Sequence, residues 1–173
     1  MRFFIMRQDK SLTDVIQFRD FDICGQRHIF YKEDAASLND FTMLYLNKES
    51  GEIVPDFIQS PVHLVSDTVK QVLNMYEDDM EFRTVILCNS EEESMFQYYN
   101  LLLERLDVIS DQAEFYPNGS IKRFMLDSER IGEHKVFMLN DNRFSHPFVS
   151  LEVAESLLRR HVMGITFQEV EVI

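Results

Sequence analysis

The residues of this chain whose types could do chemistry are five histidines, two cysteines, thirty carboxylates and two serines in matching surroundings. His28, His63, His134, His146 and His161 never fall three or four residues apart, so no two share a helix face as a metal-ligand pair would. Each is expected to be a surface or cap residue, with His146 ordering a turn before Pro147. Ser66 and Ser150 are nucleophiles in principle. Neither sits in a G-x-S-x-G elbow, and no Walker loop, G-x-G-x-x-G or H-E-x-x-H occurs. Both serines precede a helical pattern, and a helix N-cap accounts for them fully. A general acid–base pair of carboxylates needs a pocket that moves one pKa, and spacing alone does not reveal one. The expectation is a chain without catalytic residues, metal or cofactor.

Cys24 and Cys88 cannot build a disulfide framework and are expected as buried, reduced thiols of a cytoplasmic protein. The acids are more telling. Glu77, Asp78, Asp79 and Glu81 precede one predicted strand, and Glu91, Glu92 and Glu93 follow it. They read as a contact surface that steers a cationic partner, or as two solvated loops. Thirty acidic against seventeen basic residues give a net charge of −13, which repels nucleic acid and anionic membranes and attracts a basic protein. Hydrophobic residues make up 45% of the 173, too many for disorder at this charge, and nine Gly and Pro together exclude low-complexity classes. Apolar runs reach only four residues, as in Phe3-Phe4-Ile5-Met6, far below the length of a membrane span or a signal-peptide core. Fifteen Phe and six Tyr must mostly be core, and Tyr76 and Tyr98, close to the acids, are candidate interface anchors.

The elements that would position these residues begin with short strands: Arg2 to Arg7, His28 to Tyr31 after a turn at Gly25 and Gln26, and Phe41 to Leu46. Pro55 argues against a central strand around Ile53 to Phe57. An internal echo follows. Val65-Ser66-Asp67-Thr68-Val69 with Leu73 and Phe82 recurs as Val149-Ser150-Leu151-Glu152-Val153 with Leu157 and Phe167. Each copy predicts a capped helix feeding a strand, with Gly164 stopping the second helix. The two strand–helix–strand units are expected on one sheet. Met95 to Leu106 fits helix or strand equally. Beyond it, Pro117-Asn118-Gly119 marks a turn, and Ile121 to Leu126 and Lys135 to Leu139 read as strands joined by a polar loop, Asp127 to His134. The fold class expected is α+β, with a mixed, largely antiparallel sheet and two short helices. Residues 1–173 form one domain, β-rich over 1–60 and mixed over 61–173.

The ordered set Leu64-Val65-Ser66-Asp67, Glu81-Phe82, Tyr98-Tyr99-Asn100-Leu101, Leu106-Asp107-Val108-Ile109-Ser110, Phe148-Val149-Ser150 and Gly164-Ile165-Thr166-Phe167, with the two strands between, resembles the bacterial immunity-protein family Imm11. The resemblance runs over roughly residues 40 to 173. It implies a cytoplasmic antidote that binds a cognate toxin and blocks it stoichiometrically, with no catalytic residues to carry over. A basic toxin domain would suit the charge. The alternatives are a small cytoplasmic enzyme with a concealed pocket, and a non-catalytic oligomerising or regulatory subunit joined through an edge strand at Thr166 to Ile173.

Overall fold

Phe3 and Ile5 face one apolar cluster while Phe4 and Met6 pack on another, so the first strand is covered on both sides. In the computed structural model, residues 1–19, 31–48, 50–78, 80–118 and 121–173 are described. Cys24, the turn at Gly25 and Gln26, the strand expected from His28, Asp79 and Gly119 lie outside them. In chain order the strands are β1 (Phe3–Gln8), β2 (Phe41–Tyr45), β3 (Phe57–Ile58), β4 (Leu64–Val65), β5 (Glu81–Asn89), β6 (Ser94–Leu102) and β7 (Arg105–Leu106). There follow β8 (Glu114–Phe115), β9 (Ile121–Arg123), β10 (Met125–Leu126), β11 (Val136–Leu139), β12 (Phe148–Ser150) and β13 (Ile165–Val172). Among the described residues three α-helices, α1 (Asp67–Asn74), α2 (Ser128–Ile131) and α3 (Leu151–Arg159), join a 3-10 turn at Lys32–Ser37. The class is α+β.

The two echoed units lie on different sheets, not on one. The five-stranded sheet has the order β2-β5-β6-β4-β3 and the six-stranded sheet β10-β13-β1-β12-β11-β7. Five positions correspond, direction included. A parallel pair joined through a helix, β4/α1/β5 or β12/α3/β13, is split by an antiparallel centre strand, β6 or β1. Outside it, β3 and β11 pair antiparallel with β4 and β12, and β2 and β10 pair parallel with β5 and β13. The copies differ in connection, because β6 follows β5 whereas β1 begins the chain. α1 and α3 pack on each other and draw the sheets together.

The caps explain why the echo is visible in sequence. Ser66 and Ser150 have nearly the same backbone, φ −68° with ψ 167° and 165°, and each accepts the amide three residues on, from Val69 and Val153. The apolar positions that follow, Val69, Val72 and Leu73 against Val153, Ala154 and Leu157, are buried in the shared core.

One open reading closes and several local expectations shift. Met95 to Leu106 falls in strands, mostly β6, where the alternation of Ser94 to Leu102 matches nine consecutive partners on β5. The polar loop at Asp127 carries a third helix, α2, whose first amides, Glu129 and Arg130, donate to Asp127 Oδ1. Ile121 to Leu126 is broken at Phe124, since β9 pairs with β8 and β10 with β13. Helix α3 ends through His161, at φ 55°, and Gly164 serves the start of β13 instead. β13 pairs with β1 along most of its length and with the short β10 at Glu171 and Val172.

Candidate protein-binding face

Two largely apolar segments show where the surface is unusual. Val136 to Leu139 in β11 is buried throughout, as a strand covered on both faces should be. Phe41 to Leu46, equally apolar, alternates: Leu44 and Leu46 are buried, while Phe41, Met43 and Tyr45 are 52%, 46% and 49% exposed. β2 is the last strand of its sheet among the described residues, and its outer face looks away from the core.

The register extends this row across the sheet. Phe41 lies beside Thr84 and then Tyr99, Met43 beside Ile86 and Gln97, and Tyr45 beside Cys88 and Met95. Partners in a ladder project from the same face, so three rows of three residues form one surface. Met95 is 70% exposed. α1 borders one end, with Lys70 Nζ 3.7 Å from the Tyr99 ring centroid. The other end runs into the β5–β6 turn, where Asn89 Oδ1 accepts from the amides of Glu91 and Glu92 at 3.1 and 3.4 Å. Glu93 takes a left-handed backbone, φ 53°, to close the turn. All three glutamates are exposed, and the Glu91 carboxylate pairs with Lys48 at 3.0 Å.

The acidic stretches therefore separate. Nine residues of β5 hold them roughly 30 Å apart. Glu91, Glu92 and Glu93 rim the apolar rows. Glu77 is tied into the scaffold instead. Its Oε2 accepts the amide of Lys135 at 2.9 Å, and its Oε1 lies 3.5 Å from His134 Nδ1. Glu81 pairs with Arg83 at 2.9 Å and alternates to the face opposite Thr84. Asp78 is exposed beyond α1, and Asp79 is outside the described residues.

Tyr98, a candidate anchor, is 2% exposed, and its hydroxyl donates to the carbonyl of Pro55. Burial pushes that phenol's pKa up. On this face the exposed aromatic residues are Phe41 and Tyr45, which no sequence signal separated from core, because both faces of β2 carry apolar side chains. His63 is likewise fully buried, contrary to a surface or cap role. Cys88 is a buried free thiol. Ser66 Oγ donates to Asp56 Oδ1 at 2.5 Å and Ser150 Oγ to Glu152 Oε2 at 3.0 Å, so both hydroxyls are engaged in caps. Among the described residues no three His, Cys, Asp or Glu side chains converge as a metal site. No helix among them is long and apolar enough to cross a membrane.

No family model matches this chain, and a search of curated proteins finds no match. The likeness to Imm11 rests on the ordered residues quoted above.

Proposed function

We propose that this protein acts by binding another protein, as an immunity protein that neutralises a bacterial toxin domain without turnover. The observation that supports this reading is the outer face of β2, β5 and β6. Phe41, Met43, Tyr45 and Met95 stand exposed in adjoining rows, beside three glutamates. A contiguous apolar patch with a charged rim is the anatomy of a protein interface, where aromatic and Met side chains supply the contact and the rim sets orientation. The partner it fits carries an apolar patch edged by Lys or Arg. A second copy of this chain fits poorly, since each copy carries −13 and would bring glutamates against the same acidic surroundings.

The reading is tested by co-expressing the chain with the product of the adjacent open reading frame. Restored growth and co-purification in a fixed ratio are expected. Unrelieved killing, or catalytic conversion of a small metabolite by the purified chain, overturns it. Size-exclusion chromatography of the chain alone addresses the oligomerising alternative, for which a stable dimer is the expected sign.

A further inference from the structure

A second feature lies at the opposite end of the charge inventory. In a chain so rich in carboxylates, basic side chains are normally claimed: Arg2 by Glu169 at 2.6 Å, Lys122 by Glu114 at 2.6 Å, Arg130 by Asp111 at 2.9 Å. Arg7 and Lys10 are exceptions, with no carboxylate at ion-pair distance among the described residues. Arg7 Nε is buried and has no hydrogen-bond acceptor among the described residues. Such a buried donor is uncommon and asks for an acceptor that the protein does not supply.

Both side chains line one cleft, of about 310 Å³, between the C-terminal end of β1 and the segments bearing Gln59 and His146. A neighbouring hollow of about 440 Å³ shares Gln8, Asp9, Lys10 and Gln59 with it. The cleft is braced. The amide of Gln8 donates to Gln59 Oε1 at 3.3 Å, and the amide of Gln59 donates to Gln8 Oε1 at 3.0 Å. With Oε1 thus accepting, it is Gln59 Nε2 that faces His146 Nδ1, at 3.3 Å. Nδ1 is therefore an acceptor, and the neutral imidazole carries its proton on Nε2. Asp9 is the single acid among the described lining residues, and its Oδ1 is taken by the amide and hydroxyl of Ser11, at 2.9 and 2.7 Å.

We propose that this cleft holds a small oxyanion, a phosphate or carboxylate group, gripped by the Arg7 guanidinium and the Lys10 ammonium with His146 at its side. An Arg fork matches the paired oxygens of either group, and a Lys adds a second positive charge. Burial and the fields of Arg7 and Lys10 both hold the His146 pKa below its ordinary value. A bound anion offsets those fields. The charged or titratable groups near the ring are Arg7, Asp9, Lys10 and the buried His63. The site shares no residue with the β2–β5–β6 face and stands or falls separately from the toxin reading.

The test is an NMR titration of the intact chain with inorganic phosphate, and separately with citrate, against sodium chloride of equal ionic strength. The expected result is a saturating shift of the His146 ring and Gln59 side-chain signals, with the His146 pKa rising as the anion is added. Response to phosphate alone identifies a phosphoryl ligand, and response to citrate alone a carboxylate. The response should be lost in Arg7→Gln with Lys10→Gln, and weakened at least tenfold in Lys10→Gln, an exposed position that leaves the fold undisturbed. Shifts equal to those in chloride, or unchanged in these variants, overturn the proposal.

Discussion

His63 Nε2 donates to the carbonyl of Ser145 at 2.8 Å from a fully buried position, tying the turn before β4 to the segment before β12. A carbonyl can only accept, so the neutral ring carries its proton on Nε2. The Phe57 ring lies 5.5 Å away and completes an apolar setting. Burial pushes the His63 pKa down to about 3. Above its ordinary value near 6.5, neither folded nor unfolded chain is protonated here, and the residue adds no pH dependence. Below it the unfolded chain takes up a proton that the folded one refuses until about pH 3. Stability should fall on acidification across that window by roughly 1 kcal/mol per pH unit from this site. His63→Gln, which keeps a donor, should be less stable at neutral pH and show a shallower acid limb. Urea midpoints measured from about pH 4 to pH 8 check this, and equal slopes would refute it.

Gly164 combines two constraints. Its φ is +79°, and a Cβ built there would lie 2.5 Å from Pro55 Cβ. Gly132 shares only the first: its φ is +62°, with open space around it. Gly132→Ala should cost about 1–2 kcal/mol through backbone strain alone. Gly164→Ala should cost clearly more, because the Pro55 segment must also move. Paired thermal melts decide, and equal losses would mean that the contact relaxes freely.

The sequence carried the half of this architecture that is written locally. Both capped helices, and the strands that follow them, show in the Ser66 and Ser150 echo, because a cap and an apolar stripe are short-range patterns. Which sheet each unit joins is decided at long range: β6 splits β4 from β5, and β1, some 150 residues before β12, splits β12 from β13. No local pattern states that pairing. The exposed face was illegible for a related reason. Phe41 and Met43 differ from Leu44 in what covers them, not in polarity. Glu91 to Glu93 were visible as acids, whereas Glu77 looked equivalent until its bond to the Lys135 amide placed it in the scaffold.

Asp56 links the two halves more firmly than either cap does alone. Its Oδ1 accepts from Ser66 Oγ at 2.5 Å and its Oδ2 from the Met163 amide at 2.6 Å. Its own amide donates to the Met163 carbonyl and its carbonyl accepts from Ser66, at 2.8 and 2.9 Å. Ser150→Ala should lose about 1 kcal/mol, the ordinary worth of a cap. Ser66→Ala should lose more, since it also strips a partner from Asp56. Asp56→Ala should be the worst of the three, at roughly 2–3 kcal/mol, because it frees both the helix start and the turn into β13. Chemical denaturation of the three variants gives the ranking, and a smaller loss at Asp56 than at Ser150 would remove its linking role.

The β2–β5–β6 face makes a prediction that separates binding from folding. Met43→Lys with Met95→Lys puts charge on exposed positions and should leave the melting temperature within a few degrees. Affinity for the proposed partner should drop at least about tenfold, the usual effect of spoiling a desolvated interface centre. Reversing Glu91, Glu92 and Glu93 to Lys should act differently: slower association, weaker binding, and less sensitivity of the remaining affinity to salt. Glu77→Gln should weaken the hold on the Lys135 amide and cost about 1 kcal/mol of stability without touching the association rate. Stopped-flow association and denaturation on the same variants separate the cases. Unchanged binding in both the Met and the Glu91–Glu93 variants would place the contact surface elsewhere on the molecule.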